Sequence, residues 1–119
     1  MKNHKSILLI LVLILAFSCD KDDPVSTTSC GVKHPAEDLP WLKTMIEAWE
    51  ANSLYYTYMY VQQGTYLGQT VFLPGSCCPY CDYFFPVYNC DGEEVTIESG
   101  KSVTDLETIW KSADSQCTF

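Results

Sequence analysis

Residues 54–73 read LYYTYMYVQQGTYLGQTVFL, and this stretch decides the class of fold. Its first half is rich in tyrosine and alternates between two faces of an extended chain, which favours a β-strand. Gln63-Gly64 is typical of a turn, and the second half supplies a return strand with a bulge at Gly68. Pro74-Gly75 ends that strand. The stretch therefore predicts an antiparallel hairpin.

Helical spacing flanks the predicted strands on both sides. Asp38 is a candidate N-cap, Pro40 suits a first helical turn, and the helix should stop near Asn52. Its apolar positions are Leu39, Leu42, Met45, Ile46 and Trp49. Ser102 and Asp105 resemble a capping box before a second helix. The apolar positions of that helix are Val103, Leu106, Ile109, Trp110 and Ala113.

The chain order of these elements predicts an α+β domain. It has an N-terminal helix, an antiparallel sheet of about four strands and a C-terminal helix, and it is cross-linked by disulfides. The predicted strands are residues 54–62, 65–73, 83–89 and 93–98. Pro86 cannot donate a ladder hydrogen bond, so its strand is expected at an edge or at a bulge.

The first residues have the pattern of a secretory signal peptide. A basic start precedes an apolar run from Ile7 to Phe17, which is too short to span a bilayer as a helix. Leu15-Ala16-Phe17-Ser18-Cys19 resembles the lipobox of bacterial lipoproteins, which implies cleavage before Cys19 and lipid on its sulfur. The predicted division is residues 1–18 for the signal peptide, 19–33 for a lipidated, flexible tether, and 34–119 for one domain.

The charge of the mature chain limits its partners. Removal of residues 1–18 would leave five lysines, no arginine and fifteen acidic residues, a net charge of −10. Nucleic acids are excluded, because binding them requires clusters of Lys and Arg. We expect contact with the membrane through the lipid alone.

The chain contains seven cysteines, and an odd number in an exported protein needs an explanation. A lipid on Cys19 leaves six disulfide candidates: Cys30, Cys77, Cys78, Cys81, Cys90 and Cys117. Fifteen pairings are possible. If the three clustered cysteines all pair outward, to Cys30, Cys90 and Cys117, six pairings remain.

Cys78-Pro79-Tyr80-Cys81 matches the active-site tetrapeptide of glutaredoxins letter for letter. That chemistry requires the first cysteine at a helix N-terminus, whose dipole lowers the thiol pKa. The segment after Cys81 has the composition of a strand, so we favour structural disulfides and keep thiol–disulfide exchange as an alternative. A zinc site on Cys78 and Cys81 is a weaker alternative, because an oxidising compartment favours disulfides.

The tyrosines suggest a binding surface. Tyr55, Tyr56, Tyr58 and Tyr60 would place rings on both faces of one strand, and exposed aromatic rows can contact a sugar ring or a protein. No catalytic constellation is evident, and His34 is the only histidine after residue 18. We therefore expect a non-enzymatic binding module without a cofactor, with a protein or glycan ligand. A purely structural envelope component is a further alternative.

Taken whole, the chain resembles small uncharacterised lipoproteins of Bacteroidota. The residues behind this resemblance are the leader, residues 38–43, the Cys77-Cys78 pair and residues 87–92. Asp20-Lys21-Asp22-Asp23 is similar to the export signal of surface lipoproteins in that group. The resemblance implies anchorage in the outer membrane with display at the cell surface, and it implies no specific chemistry.

Overall fold

The computed structural model describes residues 29–52 and 56–119. The predicted signal peptide, Cys19 and the acidic run after it lie outside the described residues, as do Leu54 and Tyr55. The elements in chain order are α1 Pro35–Asp38, α2 Pro40–Glu50, a 3₁₀ turn Tyr56–Tyr58, β1 Met59–Tyr66, β2 Gln69–Ser76, β3 Val87–Tyr88, β4 Glu94–Val95 and β5 Thr104–Lys111. The α+β class is confirmed.

The two helices are separated by one extended residue. Leu39 has ψ 112° because the ring of Pro40 disfavours a helical conformation in the residue before it. Leu39 is also the N-cap of α2, and its side chain offers no capping oxygen. The predicted cap, Asp38, ends α1 instead, and its Oδ2 accepts a hydrogen bond from the backbone N–H of His34. The capping prediction for Asp38 is therefore wrong.

The strands form one antiparallel sheet of five, in the order β4-β3-β2-β1-β5. The central hairpin joins β1 and β2 through Leu67 and Gly68, whose φ values are 48° and 77°. A two-residue hairpin with positive φ at both positions matches the right-handed twist of its strands. The predicted turn at Gln63-Gly64 and the predicted strand end at Pro74-Gly75 are therefore wrong.

Gly64 lies inside β1, opposite Val71 of β2. A Cβ at this position would sit 2.8 Å from the carbonyl oxygen of Thr104. Glycine is needed here because the backbone of β5 approaches closely, which is a recognised role of glycine within a strand.

The predicted C-terminal helix is wrong, because this segment forms β5 beside β1. Two irregularities shift the register between β1 and β5, and Asp105, at φ 54°, lies in one of them. This bulge lets Val103 and Leu106, three residues apart, both flank Gly64. The bulged strand therefore reproduces the three-residue spacing that predicted a helix. The predicted capping box of Ser102 and Asp105 is wrong for the same reason.

The sheet is covered on both faces. The core cluster on one face consists of Leu39, Leu42 and Ile46 from the helical segment with Val61 and Phe72 from the strands. On the opposite face, Tyr66 is 6% exposed, and its hydroxyl accepts a hydrogen bond from the N–H of Glu98. Segments after β4 therefore shield the face that α2 leaves uncovered.

Candidate functional site

All six candidate cysteines are paired. The bonds are Cys30–Cys90, Cys77–Cys117 and Cys78–Cys81, with Cα–Cα distances of 5.6, 5.7 and 5.3 Å. The outward pairing of all three clustered cysteines is wrong, because Cys78 and Cys81 bond to each other.

Local hydrogen bonds explain why the neighbouring Cys77 and Cys78 have different partners. The N–H of Cys77 donates to the carbonyl of Tyr58, which continues the β1–β2 pairing and leaves Cys77 beside the C-terminal segment. The N–H of Cys78 donates to the hydroxyl of Ser76. The chain then turns at Pro79 and Tyr80, and the N–H of Cys81 meets the carbonyl of Cys78 at 3.5 Å. The turn carries Cys81 back to Cys78.

Residues 78–86 form a loop without helix or strand, closed at its start by the Cys78–Cys81 bond. This aromatic loop exposes 96% of Tyr80, 92% of Phe84 and 44% of Tyr83. Several exposed aromatic rings on one short loop are the kind of apolar surface that can contact another molecule. No helix begins at Cys78, so the context that activates a glutaredoxin cysteine is absent from this described loop.

A series of ring contacts connects the aromatic loop to the helix and the edge strand. Tyr83 lies 5.6 Å from Phe85, and Phe85 lies 6.1 Å from Trp49 of α2, measured between ring centroids. Trp49 lies 5.8 Å from Trp110 of β5. These contacts support the base of the loop while Tyr80 and Phe84 remain exposed.

The predicted tyrosine face is divided between different surroundings. Tyr55 lies outside the described residues, and Tyr56 packs on Trp110 at 6.1 Å. Tyr60 lies over Gly75 of the neighbouring strand, and its ring contacts Phe119 at 5.0 Å. Tyr56, Tyr58 and Tyr60 are all half-buried. The structure therefore does not bring these three together as one exposed row.

Two of the three exposed rings, Tyr83 and Phe84, instead lie in a segment that the sequence pattern assigned to the third strand. Residues 83–89 combine aromatic and β-branched side chains, which favours a strand. Only Val87–Tyr88 pairs with a neighbour, and Pro86 directly precedes it. A proline before the strand was the available signal that the aromatic part lies outside the sheet.

Within residues 29–52 and 56–119, no cluster of three or more His, Cys, Asp or Glu side chains could hold a metal ion. The helices in this part of the chain are too short or too polar to cross a membrane. No protein-family model, curated protein or solved structure matches the chain.

Proposed function

We propose that this chain is an exported, lipid-anchored envelope protein that works as a non-enzymatic binding module, with the aromatic loop as its contact surface. The observation that carries the proposal is the exposure of Tyr80, inside the Cys78–Cys81 disulfide, and of Phe84, three residues after it. Tyrosine is over-represented among the residues that dominate protein interfaces. A loop restrained by the Cys78–Cys81 bond loses less conformational entropy on binding.

The location is supported by the leader and by the cysteines. The lipobox-like residues 15–19 and the acidic run after Cys19 favour lipidation and surface display, as in the lipoproteins of Bacteroidota that the chain resembles. Three disulfides are consistent with an oxidising compartment. Mass spectrometry of the mature N-terminus should find acyl chains on Cys19, and Cys19→Ala should abolish this acylation.

The ligand that we favour is a protein, because Phe84 offers only an apolar ring and Tyr80 presents nearly its whole surface. The test places a photo-crosslinking phenylalanine analogue at position 80 in cells that display the lipidated chain. A discrete protein adduct is expected. The same analogue at the exposed Glu94, in β4, is the matched control and should give no adduct.

A second variant tests whether the exposed rings bind the ligand or merely lie near it. Tyr80→Ser with Phe84→Ser should abolish adducts from a crosslinker at Tyr83, while the melting temperature stays unchanged because both rings are in water. A heterogeneous adduct that is sensitive to periodate would show that the ligand is a glycan and not a protein. Equal adducts at positions 80 and 94 would refute the loop as the contact surface.

Thiol–disulfide exchange is a second candidate function, favoured by one observation: Cys78 and Cys81 form a local bond in an exposed loop. A glutathione titration of the oxidised protein tests it, with Cys77–Cys117 as the internal control. A structural bond should resist reduction down to about −300 mV, whereas an exchanging one opens between about −120 and −230 mV. If the Cys78–Cys81 bond alone opened between about −120 and −230 mV, the protein would be a thiol–disulfide redox protein.

A further inference from the structure

A cleft lies between the exposed parts of the helices and the edge strand β5. Its volume is about 660 Å³, within the range of sites that hold ligands. Pro35 and Ala36 of α1 line it, and three larger apolar side chains do so as well: Ile46 of α2, with Ile109 and Trp110 of β5. Ile46 is 5% exposed, and all three belong to or pack against the core cluster. The apolar part of the cleft is therefore continuous with the core.

The charged side chains that line the cleft are mainly acidic. They are Glu37, Glu47, Glu50 and Glu107, together with Lys33 and Lys43. Lys43 Nζ and Glu47 Oε1 lie 4.0 Å apart, as an i,i+4 pair on α2. Among the described residues, Glu37, Glu50 and Glu107 form no ion pair. Three carboxylates thus face the cleft with Lys33 as the remaining opposite charge.

The cleft is unsuited to a second copy of the chain. Self-association would bring Asp105 and Glu107 of the edge strand β5 against a partner with the same acidic residues. Acidic side chains and bulges on an edge strand are devices that prevent pairing between identical sheets.

We propose that this cleft binds a Lys- or Arg-bearing peptide segment of a partner protein. Long basic side chains lay their aliphatic stems on apolar surface and keep the charged group at the rim. The half-buried Ile109 and Trp110 offer that surface, and a cation near the Trp110 ring gains a cation–π attraction. Glu50 and Glu107 then supply carboxylates for the charged group.

This proposal goes beyond the aromatic loop, because the cleft and the loop share none of their residues. The two can fail separately. Tyr80→Ser with Phe84→Ser should leave binding in the cleft intact, and substitutions in the cleft should leave loop crosslinking intact.

The test uses the lipidated mature chain in detergent micelles and a short peptide of alternating lysine and threonine. The triple variant Glu37→Gln, Glu50→Gln and Glu107→Gln should weaken binding about tenfold, since each exposed ion pair contributes about 0.2–1 kcal/mol. The matched control is Glu93→Gln, Glu94→Gln and Glu98→Gln, which removes the same charge outside the cleft. This control should change the affinity less than about twofold.

The three tryptophans provide an internal map of the binding site. In the NMR spectrum of the indole N–H groups, the peptide should shift Trp110 most and leave Trp41, which is hydrogen-bonded to Cys90, in place. Equal weakening by the two triple variants would mean that net charge alone attracts the peptide, and would overturn the proposal. Equal binding of a peptide with glutamate in place of lysine would overturn it as well.

Discussion

The indole Nε1 of Trp41 donates a hydrogen bond of 2.9 Å to the carbonyl oxygen of Cys90. Cys90 is bonded through its sulfur to Cys30, and the Trp41 side chain lies against Gly92, where a Cβ would come within 2.6 Å of it. Trp41 of α2 therefore holds the β3–β4 hairpin, and the Cys30–Cys90 disulfide ties the N-terminal segment to the same point. Neither of these has a long strand of its own to hold it in place.

The hydrogen bond of Trp41 should make that residue more important than Trp49. Trp41→Phe leaves the partly buried carbonyl of Cys90 without its donor, which costs about 1–3 kcal/mol on top of the lost ring area. Trp49→Phe is the control, because Trp49 is also half-buried but its indole N–H has no partner among the described residues. Urea unfolding should show the larger loss for Trp41→Phe. Equal losses would contradict a role for the hydrogen bond.

The three disulfides should differ in their effect on stability. Cys30–Cys90 and Cys77–Cys117 span 60 and 40 residues, whereas Cys78–Cys81 spans 3. Loop-closure entropy grows with the span, so alanine replacement of either long pair should lower the free energy of unfolding by about 4 kcal/mol, and of the short pair by about 2. Chemical denaturation of the three double variants measures this order. If the variant without Cys78–Cys81 lost as much free energy of unfolding as the other two, loop-closure entropy would not explain the effect of these disulfides.

Gly64→Ala should weaken the attachment of β5 specifically. The added methyl group meets the Thr104 carbonyl oxygen, and overpacking of this kind costs about 1–3 kcal/mol. Gly68→Ala is the control: it is strained by its φ of 77°, but nothing lies within 4 Å of the added Cβ. Hydrogen exchange should accelerate at the amides of β5 in the first variant only. Acceleration there in both variants would mean that β5 opens together with the hairpin.

Alanine substitution of two serines near the C-terminus should change the free energy of unfolding in opposite directions. Ser112 is 2% exposed, and its hydroxyl has no hydrogen-bond partner among the described residues. Ser112→Ala should therefore raise the free energy of unfolding by about 1 kcal/mol, because an unsatisfied buried group is removed. The hydroxyl of Ser115 accepts a hydrogen bond from the N–H of Cys117, so Ser115→Ala should lower it by about 1 kcal/mol. Thermal unfolding distinguishes the two, and a destabilised Ser112→Ala would show that the hydroxyl is satisfied in solution.

Local patterns in the sequence were sufficient for several features. The spacing of Leu42 and Ile46, together with Pro40, predicted the helix that the structure places at Pro40–Glu50. Alternating, tyrosine- and valine-rich segments predicted the antiparallel sheet, and the six cysteines left after Cys19 predicted that all of them pair. The helix and the strands depend on residues a few positions apart, and the pairing of the cysteines follows from their even number. None of these predictions requires knowledge of contacts between distant residues.

The tertiary structure alone decided the rest. The last apolar segment became β5 because the free edge of β1 offered hydrogen bonds, and bulges allowed helical spacing to fit a strand. Tyr60 became half-buried because Phe119, which is distant in the sequence, packs on it. The pairing of Cys77 with Cys117 and of Cys78 with Cys81 followed from where the backbone carried each sulfur atom. Such outcomes rest on contacts between residues far apart in sequence, which no local pattern records.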